Sequence, residues 1–438
     1  MKGLPGKWLL LAAGGFWLIM VIGRPLQAAP PIWAPSPLDQ IIEEGLRQNK
    51  EIQSLEDQVA SSKELIPFAG SLDDPRLGIG LLNLPTDTLR FDQEPMTQKQ
   101  LFIAQKVPWF GKLSLRSQRQ LILASRQQAI LDAKRLELAR QIATTYYELG
   151  FIGRSLEINE RLTTMVSQLL KVAETRYAAG MGLQQDVLQA QVELSRLLDE
   201  KIMLDKQRRT LEDRINELLN RESFAPVSLS GPLSFPDLKL EVQTLKDQSL
   251  QGNPWLRVRE ADVAQTEVEI QLAKKDYWPD PDFIVAYGQR DESQAGQDWA
   301  DFVSASVIIN IPLWQKNRQD KKLAATQKGH QAAMKSYRNL MEALPHRVDA
   351  LTTEIRNTQE NYQLYADALM VQAEQWARSS LAAYEVGKVE FNTMINAQIR
   401  LLRFELQAER YLFSIYQKRA DLEEVLGGPL KPQATRDN

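Results

Sequence analysis

The sequence predicts a mainly α fold with a small β part, laid down twice on one plan. Three observations lead there. From Lys112 to Ala179 there are 68 residues without a proline. Landmarks recur at a fixed interval. Tyr177 and Tyr384 each stand three residues before a glycine, Gly180 and Gly387, and Ala190-Gln191 and Ala397-Gln398 follow in step, every pair 207 apart. A pattern repeated in register marks an internal duplication. Finally, a segment ahead of each long run alternates apolar and polar side chains with the period of a strand.

The chain opens on what reads as an export leader, residues 1–28. Lys2 and Lys7 precede an uncharged apolar run from Trp8 to Ile22, and Ala28 offers a small residue for cleavage. Fifteen residues are short for a membrane-spanning helix, which needs about 20; a membrane anchor is the alternative reading. Without the leader, 50 Lys and Arg face 56 Asp and Glu. That acidic balance argues against nucleic acid as a partner. No later run is long and apolar enough for a membrane helix, so any further membrane contact must be made by strands.

The first repeat is expected over residues 29–220. Its hairpin, about 76–108, reads RLGIGLL and then QKQLFIAQKVPWFGK, with Leu77, Ile79 and Leu81 opposite Gly78 and Gly80. A polar loop from about Pro85 to Thr97 joins the strands. The long helix, 112–179, carries two apolar rows, Ile122-Ala129-Leu136-Ala143 and Ala124-Leu131-Leu138, set about 160° apart at 100° per residue. Opposed rows with polar flanks fit a helix with neighbours on two sides, as in a hollow ring of helices or a two-sided layer. Gly180 turns the chain into a return helix, 184–219. After a proline-marked linker, 221–238, the second repeat occupies 239–428. Its hairpin, about 282–312, alternates Val303, Ala305, Val307 and Ile309 with Phe302, Ser304, Ser306 and Ile308. A second long helix, 318–386, and a return helix, 391–426, complete it, and residues 429–438 form a polar tail. Pro345 should interrupt and kink the second arm. Asn49 and Asn253 begin matching helical stretches, and Asp74-Pro75 and Asp280-Pro281 open the two hairpins.

Short alternating strands mark either an ordinary soluble hairpin or an outer-membrane barrel. Four strands cannot close a barrel alone, since about eight are needed. Inserted hairpins would therefore have to be completed by other copies, and three copies give twelve strands. The chain has no cysteine, its two histidines have no ligand spacing, and no HExxH, GxSxG, Walker A or dinucleotide fingerprint occurs. No enzyme activity, metal or cofactor is expected. The rival to a duct is a secreted or periplasmic coiled-coil scaffold.

On the repeated Tyr-x-x-Gly with its return helix, as in RYAAGMGLQQDVLQAQ and AYEVGKVEFNTMINAQ, the chain resembles the TolC family of outer membrane efflux proteins from about Leu38 to Gly428. The hairpin endings QKVPWFGK and IPLWQKN resemble the branch linked to heavy-metal cation efflux. The resemblance implies a homotrimer in outer-membrane lipid, with a twelve-stranded transmembrane β-barrel and an α-helical barrel reaching into the periplasm. It implies passive conduction for an inner-membrane efflux pump and a periplasmic adaptor. The adaptor contact maps onto Ala179, Gly180 and Met181 and onto Val386, Gly387 and Lys388. The gate maps onto Tyr384 and its carboxylate partner Asp186. The family's basic residue maps onto Val389, so that link should be absent. The ring aspartates map onto Thr393 and Asn396, so the acidic ring should be absent too, with Glu390 the acid nearby. Asp186 also suits a plain helix N-terminus.

Overall fold

The computed structural model describes residues 38–430, except 230–232, 237 and 239. The leader and almost all of the polar tail lie outside the described residues. Helices α1 (Leu38–Gln48) and α2 (Lys50–Gly70) lead to strands β1 (Arg76–Leu82) and β2 (Gln98–Lys106), then α3 (Lys112–Ala178) and α4 (Gln184–Leu219). The second half repeats this order: α5 (Val242–Gly252), α6 (Pro254–Lys275), β3 (Pro281–Gln289), β4 (Phe302–Ile309), α7 (Gln319–Gln363), a π-helical turn (Leu364–Leu369), α8 (Met370–Glu385) and α9 (Phe391–Leu426). At 1.5 Å per residue, α3 is roughly 100 Å long.

Helix α3 packs against α2 and α4 and also against α6 and α9. That is why it carries two apolar rows: Ala124, Ala129, Leu131, Leu138, Ile142, Ala143 and Leu149 are all buried. The shorter helices meet end to end beside it. Asn49 accepts the N–H groups of Glu51 and Ile52 at the start of α2, and its Nδ2 donates to the carbonyl of Leu218 near the end of α4 at 3.0 Å. Asn253 does the same for α6, accepting from Trp255 and Leu256 and donating to Val425 of α9 at 2.9 Å. Each asparagine thus serves orphan groups on two helix ends.

The four strands form one antiparallel sheet in the order β1-β2-β3-β4. Its register places Leu77, Ile103, Val285 and Ala305 in one cross-strand row and Ile79, Leu101, Tyr287 and Val303 in the next. This face is apolar and exposed: Ile79 is 85% and Val303 76% accessible. On the other face Gly78 makes room for the Phe102 ring, which a Cβ would meet at 2.3 Å. Among the described residues β1 and β4 are open edges. Below the sheet, Asp280 accepts from the Trp109 N–H at 2.8 Å and from buried Lys112 at 2.9 Å, and Trp109 stacks on Trp278. The hairpins are thereby tied to the helices.

The second arm departs from expectation. Helical geometry continues on both sides of Pro345, which stands inside α7. The irregularity lies further on, at the π-turn 364–369. Its cause is legible in the burial. Leu138, Ile142, Tyr146 and Leu149 of α3 and Leu344, Val348, Thr352 and Ile355 of α7 are buried in matching order, each pair 206 apart. Below the turn, Val166 and Ala173 match Ala373 and Ser380, now 207 apart. The second arm holds one extra residue, and a π-turn takes one more residue than an α-turn. No helix among the described residues is long and apolar enough to cross a membrane.

Candidate functional site: the paired helical tips

Opposite the sheet, the chain reverses twice, at Gly180 and at Gly387. Both glycines have φ of 71°. In the first turn the Met181 N–H bonds the Arg176 carbonyl at 2.8 Å and the Gly180 N–H bonds that of Tyr177 at 3.0 Å. In the second, Lys388 and Gly387 repeat these bonds to Ala383 and Tyr384 at the same distances. This is the Schellman pattern, in which a left-handed glycine closes the last helical turn. A Cβ at either glycine would meet nothing within 4 Å. The restriction is therefore backbone conformation alone, and the turns stand open to solvent. Ala179, Gly180, Met181, Val386, Gly387 and Lys388 are all exposed.

Inside the tip the two hairpins share an apolar core. Ile158, Leu162, Val166 and Ala173 of α3 and Ala190 and Leu197 of α4 pack with Tyr384 of α8 and Phe391, Met394 and Ile395 of α9. Ala190 and Ala397, the repeated alanines, are both fully buried. Val389, where the resemblance expected a basic residue, packs against this core.

The two repeat tyrosines differ sharply. Tyr177 is 49% accessible; Tyr384 is 7%. Tyr384 lies edge-on to Phe391, and the guanidinium of Arg176 sits 4.7 Å from its ring centre. Nη1 of Arg176 also donates to the Tyr384 carbonyl at 3.2 Å. Burial first, then the Asp186 carboxylate, push the Tyr384 hydroxyl above its usual pKa, while Arg176 opposes them. Asp186 therefore lies close to Tyr384, in the first turn of α4. Among the described residues no hydrogen bond joins the two side chains within the chain.

A basic residue does reach Tyr384, then, but from position 176 and not from 389. Sequence reasoning missed it because its partners are a ring and a carbonyl 208 residues away, with no opposite charge to signal pairing. Its only signal was its place beside Tyr177 in the repeated turn. The remaining positions onto which the resemblance mapped a gate are solvent-facing. Glu390 is the exposed N-cap of α9, without a side-chain cap bond, and Thr393 is exposed one turn on. Asn396 donates to Asn392 at 2.6 Å, and Gln189 of α4 donates to the same Asn392 oxygen at 2.7 Å. This amide cluster joins the return helices where aspartates were not found.

The chain matches the family described as outer membrane efflux protein over residues 41–221 and 245–428. Among solved structures it is similar to VceC, an outer membrane protein of Vibrio cholerae, with TM-score 0.76 and 16% identity over 90% of this chain and 97% of that one. It is similar to CusC with TM-score 0.73 and 14% identity, over 91% and 93%. The CmeC outer membrane channel of Campylobacter jejuni gives TM-score 0.71 and 10% identity, over 91% and 87%. At such identities these likenesses establish the fold. An uncharacterized protein of Haemophilus influenzae is 22% identical over 102 residues, which span 23% of this chain and 22% of that protein.

Proposed function

Because this chain belongs to the outer membrane efflux protein family, we propose that it forms the outer-membrane duct of a tripartite export system and conducts cargo passively through a homotrimer. One observation carries this reading: a four-stranded sheet with an exposed apolar face and two open edges. Lipid does not tolerate open edges, and twelve strands from three copies would close a barrel. Exposed apolar side chains support assembly along the helices as well. Leu188, Val192, Leu198 and Ile202 face out from α4, and Leu364, Val371 and Trp376 from the second arm. The three pairs of tips would then ring the periplasmic end of the duct.

Energy and choice of cargo fall to an inner-membrane pump, delivered through a periplasmic adaptor. The adaptor would dock on the open turns, through Ala179, Gly180, Met181, Val386, Gly387 and Lys388. Tyr384, Asp186, Glu390, Thr393 and Asn396 would line or brace the constriction. With amides at Asn392 and Asn396, the constriction would select for cations more weakly than a ring of carboxylates. The test is mass in detergent by light scattering. The purified protein should run at about three times the mass of the chain without its leader; a monodisperse monomer would contradict the reading.

A further inference from the structure

The duplication carries the parts of a polar latch twice, and a single chain closes only one of them. In the closed latch, the Asp280 carboxylate ahead of β3 accepts the Trp109 N–H at 2.8 Å and the Lys112 ammonium at 2.9 Å. Lys112 is only 5% accessible there, and Trp109 stacks on Trp278 beside it. Lys112, four residues after Pro108, recurs as Lys316, four residues after Pro312. Asp280 recurs as Asp74, each followed by a proline, and the two tryptophans recur as Leu313 and Leu72. In this second set nothing meets. Asp74 and Lys316 are exposed, and among the described residues their side chains make no ion pair or hydrogen bond. Leu313 is 74% and Leu72 46% accessible. The open junction is also less regular. α3 begins at Lys112 itself, whereas Lys316 lies in a short 3-10 turn, Gln315–Asn317, and α7 starts only at Gln319. The Leu313 N–H turns back on the Ile311 carbonyl at 2.9 Å. Asp74 and Lys316 stand at β1 and β4, on opposite edges of the sheet. Three strand spacings of about 4.8 Å each keep them apart within one chain.

We propose that Asp74 of one copy accepts the Lys316 ammonium of the next, with Leu72 packed on Leu313, so that a second copy of this chain closes the latch left open in the first. The latch rests on the trimeric duct proposed above and adds to it the residues that join neighbouring copies where sheet meets helix. Charge is complementary across the two edges, and the strand register agrees. β2 and β3 pair Gln105 with Phe283, Ile103 with Val285 and Leu101 with Tyr287. Carried by the duplication to the free edges, these pairs become Ile309 with Leu77, Val307 with Ile79 and Ala305 with Leu81. All six lie on the apolar face of the sheet, whereas a slip of one residue would set that face against the other. The register that seats Asp74 beside Lys316 is thus one that keeps the apolar band continuous from copy to copy.

Exchanging the charges separates the latch from the trimer it presumes. The readout is the temperature at which the detergent-purified trimer dissociates, followed by light scattering. Asp74→Lys and Lys316→Asp should each lower it by several degrees, because like charges then face each other in a site shielded from water. The double variant, Asp74→Lys with Lys316→Asp, should regain most of that loss, which a merely misfolded junction would not. Asp73→Lys, one residue away and equally exposed, should dissociate close to wild type. Co-expression of the two single variants under different tags shows whether the contact runs between copies: trimers holding both chains should outlast trimers of either alone. Wild-type dissociation in both single variants overturns the latch, as does a double variant no better than the singles, an equal loss in Asp73→Lys, or mixed trimers no firmer than uniform ones. A wild type that is itself a monomer makes the duct reading fail and takes the latch with it, whereas a wild-type trimer indifferent to the exchange overturns the latch alone.

Discussion

Asn253 serves two helix ends with one side chain. Its oxygen caps the first turn of α6 while its amide occupies a carbonyl in the last turn of α9. The amide carries its acceptor and its donor on separate atoms, so one side chain can serve two helix ends at once. The side chain is 5% accessible, so water cannot take over either role. Loss of a cap and of a partner to a buried carbonyl together costs roughly 1–3 kcal/mol. Asn253→Ala should accordingly lower the denaturation midpoint clearly, and Asn253→Asp, which keeps the cap but loses the donor, should fall between. Equal midpoints for all three would show that the joint holds by packing alone. Legibility at this scale was uneven. Asn49 and Asn253 stood out as matched starts of helices, and Gly180 and Gly387 as turns, because caps and left-handed turns select few residue types. Arg176 did not, because a stacking partner is chosen by the folded neighbourhood and leaves no local pattern.

The second arm shows how an element absorbs a mismatch. One extra residue would rotate everything below it by about 100° and turn its buried face outward. The π-turn at 364–369 takes up that residue, so Ala373 and Ser380 still face the core and Gly387 still reverses the chain at its turn. Bonds in a π-turn are poorer than α-helical ones, and few buried contacts shelter this one: no residue of the turn is buried. Local opening follows low contact and exposed hydrogen bonds. Amide exchange should therefore be faster over 364–369 than over the matching stretch 157–162 of α3, where Ile158 and Leu162 are fully buried. Comparable protection in the two stretches would show the turn to be as firm as the helix around it. Pro345 warned of an interruption, but α7 runs through it, packed against α6 and α9. The true irregularity was set by residue count between landmarks, visible in the change from 206 between the Asp-Pro pairs to 207 between the tips.

At the scale of the whole molecule, the sheet makes little sense in one copy. Leu77, Ile79, Val303 and Val307 present an apolar face to solvent, and the outer strands lack partners among the described residues. The strands were readable because alternation on a half-buried sheet has a strict period, and the helices because proline is missing from them for so long. How the two hairpins meet at the tip was not readable, since it depends on contacts between residues some 200 positions apart. The outer membrane location follows from the family, and a barrel closed by three chains over a ring of long helices is the assembly proposed for these faces. Recording ion current across a planar lipid bilayer after addition of the purified protein tests that claim most directly. The account predicts discrete, long-lived current steps of uniform size; protein that binds the bilayer or remains in solution without producing any step would contradict it.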